Sequence, residues 1–335
     1  MKTVYILGAG CSCEDGSPLV NDFFLRIEEL LKTELKDHPK IANFRKILEL
    51  KKRLFNEFNI EEFFSLIDFY ISMNSDFKPD YNLKSIRKEL IYLISRTIKH
   101  SLANVTKSSN YNEFYTKLIT GDDIIISLNW DLLLDNIRDG INYGVSFLKY
   151  DIDNQFHNRV FVANADEKIK ILKLHGSLNF LGCTKCLARF CSYKLKALTV
   201  VDEKRKCPNC QKGDLRILLI PPTTFKNLNN FKKLKEIWTE AFNKLVHCDK
   251  IRFVGYSFPT ADVEFKYLLK AALNYRENPP LIEVYDYKEK NKDRNEFENH
   301  YNQIFDEITN LEKPIRFHYT KFSKIVNYLQ QERYT

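Results

Sequence analysis

Short apolar runs rich in β-branched residues, each followed by helical periodicity, restrict the fold of this chain more than any other feature. They occupy Thr3–Leu7, 123–128, 169–174, 216–220, 250–254, 281–285 and 315–319. A run that is apolar throughout suits a strand covered on both faces. Strands that alternate with helices need crossover connections, and that requirement predicts a parallel, doubly wound α/β sheet. Helices are expected over 132–138, 230–246, 260–273 and 295–311, with a last one after 319.

The long stretch between the first two strands departs from this rhythm. Phe23, Ile27, Leu30 and Leu31 recur at helical spacing, with a start near Leu19. So do Ile47, Leu50, Leu54 and Phe58, then Phe63, Leu66, Ile67 and Tyr70, then Leu90, Leu93, Ile94 and Ile98. Asn59 with Glu62 reads as a capping box opening the third of these helices. Phe77-Lys78-Pro79-Asp80 reads as a break and Ser108-Ser109-Asn110 as a loop. These signals predict an insertion of about four helices over 23–120. The Rossmann-like body is then 1–22 plus 121–182 plus 211–335, and 183–210 forms a small cysteine module.

With 335 residues, 44% hydrophobic and 29% charged, the chain has an ordinary globular balance. No run approaches the roughly 18 apolar residues of a membrane span. The first residues enter Gly8 without an apolar leader region, so a cytoplasmic protein is expected. There, eight cysteines are not expected to pair as disulfides. The net charge of +8 is scattered along helices without blocks of like charge. That pattern fits a solvated lysine-rich surface, and neither direct nucleic-acid binding nor membrane association is expected.

Cys183, Cys186, Cys207 and Cys210 form C-x2-C-x20-C-x2-C, the spacing of a zinc knuckle. Four thiolates close a tetrahedral shell, so such a metal is structural; cysteines without metal are the alternative. Of the other cysteines, Cys191 and Cys248 read as buried thiols, as do Cys11 and Cys13 unless one of them touches ligand. Gly8-Ala9-Gly10-Cys11-Ser12 joins a strand to a helix, where glycine admits a pyrophosphate and a helix start offers N–H groups. A tight turn without ligand would look the same, and the full G-x-G-x-x-G is missing because Cys13 holds its sixth position. Asn129 ends another strand and can orient a ribose hydroxyl or a water. Asp131 is either a helix cap or a site residue. His175, followed by Gly176-Ser177 at a strand end, suits general-base work. Gly255-Tyr256-Ser257 repeats the strand-end pattern, with Ser257 facing ribose or phosphate. Asp286 either accepts ribose hydroxyls or belongs to a surface turn.

In order, these pieces resemble the sirtuin (silent information regulator) family, which carries Gly-Ala-Gly-x-Ser, Asn-x-Asp, Leu-His-Gly-Ser, two cysteine pairs and a late Gly-x-Ser. The resemblance spans 6–286. It implies a Rossmann-like domain with a zinc module, NAD+ as substrate, structural Zn2+, and Asn129 and His175 in the catalytic roles. Gly8, Ala9, Gly10, Ser12, Asp131, Gly255, Ser257 and Asp286 would hold the dinucleotide. Two departures point away from deacylases. Gly16-Ser17-Pro18-Leu19-Val20-Asn21 stands where those enzymes have Gly-Ile-Pro-x-Phe-Arg, and Pro221-Pro222-Thr223-Thr224-Phe225-Lys226-Asn227 replaces a Phe-Gly-Glu stretch. Gly255-Tyr256-Ser257, Asp262 and the helical insertion are similar to the bacterial sirtuin-like NAD+ hydrolases of antiphage defence, which deplete NAD+ on infection. The resemblance then implies control by homo-oligomerisation or by an activating partner protein, such as an ATPase or a phage-sensing subunit. The zinc cysteines, often missing from that branch, keep an NAD-dependent lysine deacylase as an alternative. A non-catalytic NAD or ADP-ribose sensor is the third reading.

Overall fold

A computed structural model describes residues 2–54, 57–73, 81–105, 107–137, 141–144, 147–150, 160–161, 170–192, 196–226, 234–308 and 315–331. The expected break at 77–80 lies outside them.

Six strands form the main sheet: β1 (Thr3–Leu7), β2 (Ile124–Ser127), β5 (Lys170–Lys173), β9 (Lys250–Val254), β10 (Leu281–Asp286) and β11 (Arg316–Tyr319). Their order is β11-β10-β9-β1-β2-β5, and every neighbouring pair is parallel. The chain runs from β1 outward through β2 to β5, then returns to β9 on the other side of β1. The strand order therefore reverses between β1 and β9, the switch point at which open α/β sheets bind ligands. The expected parallel α/β architecture is present.

Alternation along β1 explains how the sheet is covered. Tyr5 and Leu7 join one core and Val4 and Ile6 the other. The first core is shared with α2 (Phe23–Lys32), α3 (Ile41–Leu54), α4 (Ile60–Ser72), α5 (Leu83–Ser101), α6 (Ser109–Leu118) and α11 (Ile325–Gln331). The second is covered by α8 (Lys235–Val246), α9 (Val263–Asn274) and α10 (Asn291–Ile308). The described helices within 23–120 thus share a core with one face of the sheet. Among the described residues of 23–120 there are five helices rather than about four, because Ser108 is the cap of α6: its Oγ accepts from Tyr111 N at 3.1 Å. The Asn59–Glu62 capping box is present and opens α4. A single 3-10 turn, Val20–Asp22, stands near the expected helix start at Leu19. A four-residue helix, α1 (Gly10–Cys13), follows β1 directly.

Two expectations need correction. Residues 216–220 do not belong to the parallel sheet. The strand there, β8 (Leu215–Leu219), pairs antiparallel with β6 (Gly176–Cys183) in a second sheet of order β4-β3-β7-β6-β8. Its other members are β3 (Phe147–Tyr150), β4 (Val160–Phe161) and β7 (Arg189–Ser192), and α7 (Lys196–Asp202) packs against β6 and β8. The unbroken burial of β6 and its antiparallel partners gave no helix-linked rhythm to read. The helix expected over 132–138 is only a 3-10 turn at Asp135–Ile137. Asp131 Oδ1 accepts from Leu133 N at 3.0 Å as a helix cap would, and Lys173 Nζ donates to the Asp131 carbonyl.

Candidate active site

A cavity of about 710 Å³ opens at the carboxyl edge of the main sheet, across the β1–β9 switch point. Its wall includes Gly8, Ala9, Gly10, Asn129, Asp131, His175, Gly255, Ser257 and Asp286. Every expected site residue outside the cysteine module therefore meets in one place, apart from Ser12.

Backbone contact explains the glycines. Gly255 has φ +58°, and a Cβ there would lie 2.5 Å from Cys11 N. A Cβ on Gly8 would come within 2.4 Å of Gly255 O, so the turns after β1 and β9 touch with no room for side chains. Gly8 N, Gly10 N, Cys11 N and Ser12 N all donate to backbone carbonyls. The N–H groups expected to await a phosphate at this helix start are, for these four residues, already used. The Ser12 hydroxyl is turned inward, 2.8 Å from the Tyr111 hydroxyl on α6. Cys11 is buried and Cys13 is on the cavity wall, whereas Cys248 is buried and Cys191 half-buried.

Asn129 is held from behind. Its Nδ2 donates to Gly8 O at 2.9 Å and to Ser12 Oγ at 3.2 Å. A longer contact of 3.4 Å goes to the Tyr111 hydroxyl, so the carbonyl oxygen is the end of the side chain left for a ligand. Asp131 is fully buried, and burial raises its carboxyl despite Lys173 and the Leu133 N–H. Asp286 accepts from Tyr287 N at 2.6 Å and from Lys288 Nζ at 3.2 Å, and burial raises it as well.

His175 follows β5, and the chain can turn into β6 because residue 176 is glycine: φ is +76°, and a Cβ would meet Leu218 O at 1.9 Å. The ring Nδ1 donates to Leu128 O at 3.2 Å, which leaves Nε2 as the acceptor. Nε2 is buried without a hydrogen-bond partner, although Asp262 Oδ1 is 3.4 Å away. Burial is the main force holding the imidazole down, to about 4; Asp262 opposes that and Lys226 adds to it. The ring is neutral near pH 7, so the approach to Asp262 is a contact without a proton to share. Asp262 itself stays ionised. Burial alone would raise its carboxyl, but His175, Lys226 and the Tyr256 hydroxyl outweigh it. Lys226 Nζ is 2.9 Å from Asp262 Oδ1, and Tyr256 OH is 3.0 Å from Oδ2.

Sequence reading missed three contributors: Tyr111, Lys226 in its pairing role, and Glu61 at the start of α4. Glu61 lines the cavity and is raised to about 7, chiefly by burial and then by Asp262. A helix N-terminus opening on a site was detectable from the Asn59–Glu62 box. Its place beside Asp262 and Lys226 was not, because those residues lie far along the chain.

The cysteine module is a second centre. All four Sγ atoms lie within 4.8 Å of one another, with Cys183–Cys210 and Cys186–Cys207 at 3.6 Å. Tetrahedral thiolates about 2.3 Å from zinc stand about 3.8 Å apart, so the four are placed to bind a structural metal. Lys185 N and Cys186 N donate to Cys183 Sγ, and Gly213 N to Cys210 Sγ. Backbone N–H groups of Lys212 and Gly213 draw the Cys210 thiol down to about 6, which suits a metal-ligating thiolate. The residue after each pair, Leu187 and Gln211, takes positive φ, giving the two knuckles the same turn.

No protein-family model matches the chain, and no curated protein matches it. Solved structures do. One described as the structural basis for sirtuin substrate affinity is 14% identical with a TM-score of 0.45, covering 99% of this chain and 92% of that one. A mutant Sir2 homologue in complex with 2'-O-acetyl-ADP-ribose is 14% identical with a TM-score of 0.48, covering 99% and 91%. A third, on the mechanism and regulation of Sir2 enzymes, is 14% identical with a TM-score of 0.46, covering 100% and 94%. Among the described residues no helix is long and apolar enough to cross a membrane.

Proposed function

We propose that the chain hydrolyses NAD+ to nicotinamide and ADP-ribose. The observation that carries this reading is a neutral His175 with an unpartnered Nε2 in the same cavity as Asn129, at the switch point of a parallel sheet. A cavity of about 710 Å³ is within the size range of cofactor sites. The pyrophosphate would lie along Gly8, Ala9, Gly10, Gly255 and Ser257, with Asp286 taking hydroxyls of the distal ribose. Ser12 would support Asn129 rather than touch phosphate, and Asp131 would fix the turn behind it.

The scissile bond joins a ribose carbon to a pyridinium nitrogen, which leaves as neutral nicotinamide without a strong acid. The transition state is oxocarbenium-like. Asn129 would align the ribose or the water, while His175 Nε2 accepts a hydrogen bond from a ribose hydroxyl and shares the developing charge. Zinc, held by the four cysteines, would brace the second sheet and take no part in the chemistry. We also propose that this activity serves antiphage defence by NAD+ depletion and is released by self-association or a partner protein.

The test is nicotinamide release from NAD+ by the purified protein, alone and with the products of neighbouring genes. His175→Ala should lower release by about 100-fold or more with the fold intact. Unchanged turnover in that variant would falsify the assignment. Release that requires an acylated peptide would instead establish a deacylase, and nucleotide binding without product a sensor.

A further inference from the structure

Glu61 is a buried carboxyl that the chemistry above leaves idle. The capping box fixes its backbone: Asn59 Oδ1 accepts from Glu61 N at 2.9 Å and Glu62 N at 3.0 Å, and Glu62 Oε2 accepts from Asn59 N at 2.9 Å, while the Glu61 carboxyl accepts from the Ala261 backbone. The first turn of α4 is thereby anchored with Ile60 and Glu61 on the cavity wall. The groups facing Glu61 are Asp262 at the start of α9, Lys226 after β8, Glu62 on its own helix and the Ala261 backbone. Asp262 is also the residue that His175 Nε2 approaches. Glu61 and His175 thus meet the same two-residue segment, from the inserted helices and from the sheet.

We propose that Glu61 is the general base of the hydrolysis, taking a proton from the water that attacks the ribose carbon, an inference that rests on the NAD+ reading above. As that water's oxygen bonds to the ribose carbon, the carbon–nitrogen bond breaks and its electron pair goes to nicotinamide. The water proton passes to the Glu61 carboxylate and from there to solvent. The two titrating groups divide the work by environment. His175, held near 4, is a weak base suited to hydrogen bonding, whereas a carboxyl raised to about 7 is basic enough to remove a proton near neutrality.

The full-length protein is assayed for NAD+ consumption across pH, with wild type, Glu61→Gln and Glu61→Ala. Expected is a wild-type rate rising through a midpoint near 7. Glu61→Gln should lower kcat by about 100-fold or more, leave KM nearly unchanged and abolish that limb. Azide, an anionic nucleophile that needs no base, should restore NAD+ consumption in Glu61→Ala with formation of ADP-ribosyl azide, and should not restore His175→Ala. A merely structural Glu61 would give variants that azide does not rescue, which overturns the inference, as does Glu61→Gln keeping the wild-type rate and limb. A wild type that cleaves no NAD+ under any activating condition fails the parent reading and takes this one with it.

Discussion

His175 and Glu61 titrate in opposite senses within one pH window, so each masks the other in the intact protein. The His175 imidazole is held at about 4, against 6.5 for a free ring. Between those values the unfolded chain binds more protons, so this residue makes stability rise with pH. Glu61 lies at about 7, against 4.5 for a free carboxyl. There the native state binds more protons, and stability falls as pH rises. Each swing is on the order of 2–3 kcal/mol, so the pair nearly cancels. Single substitutions should separate them. Compared with wild type, Glu61→Gln should gain about 2 kcal/mol on going from about pH 5 to pH 8, and His175→Gln about 2 kcal/mol in the reverse direction. Urea unfolding at both pH values measures this. A pH-independent difference for either variant would show that its side chain is not buried as described. Both groups also show how a site residue depends on remote chain: His175 was visible from its strand-end motif, whereas Glu61 becomes noteworthy only beside Asp262 and Lys226.

The elements differ in how legible they were, and the differences have causes. Strands β1 and β10 of the main sheet are buried along their length and next to helices in the chain, so their continuous apolar runs were readable, whereas edge strand β11 is partly exposed. The second sheet was not readable in this way. Its longest strand, β6, begins one residue after His175 and runs straight into Cys183, so strand and cysteine motif overlap. The turn after Asn129 reads as a helix because Asp131 is a cap, and its Oδ1 does accept from Leu133 N, but the only regular turn described there is the 3-10 turn Asp135–Ile137. At the cysteine module, each C-x2-C pair reads as a knuckle from its spacing, and the second sheet brings the two knuckles together. The module also has a consequence for the site. Cys183 ends β6, which starts at Gly176 beside His175, and Cys183, Cys207 and Phe190 share a small core. The purified protein should therefore hold one zinc per chain, and Cys207→Ser should release it and lower the melting temperature. Because structural zinc binding in small modules is worth about 10 kcal/mol or more, only strong chelators should strip it. Elemental analysis with thermal unfolding decides this; full stability in a metal-free protein would refute it.

At the scale of the whole molecule, the inserted helices and the sheet share one hydrophobic core. Phe114 of α6 is completely buried, with its ring centroid 5.3 Å from that of Tyr5 in β1 and 5.4 Å from that of Phe322. Tyr111, one turn earlier, hydrogen-bonds Ser12 and touches the Asn129 amide, and packs tilted against Phe322 with centroids 4.8 Å apart. The insertion therefore holds the sheet's central strand and the site's amide by adjacent side chains on one helix. A movement of α6 imposed by a binding partner would reach Asn129 without passing through a loop, which gives the proposed control by association a physical route. Phe114→Ala removes the larger contact and should cost about 3–5 kcal/mol. If the body is cooperative, that loss appears in a single unfolding transition shared by the helices and the sheet, and amides of β1 and α6 lose hydrogen-exchange protection together. Were the insertion an independent domain, the variant would show two transitions, with the helices melting first and β1 still protected; that result would separate the proposed partner surface from the site it is meant to govern.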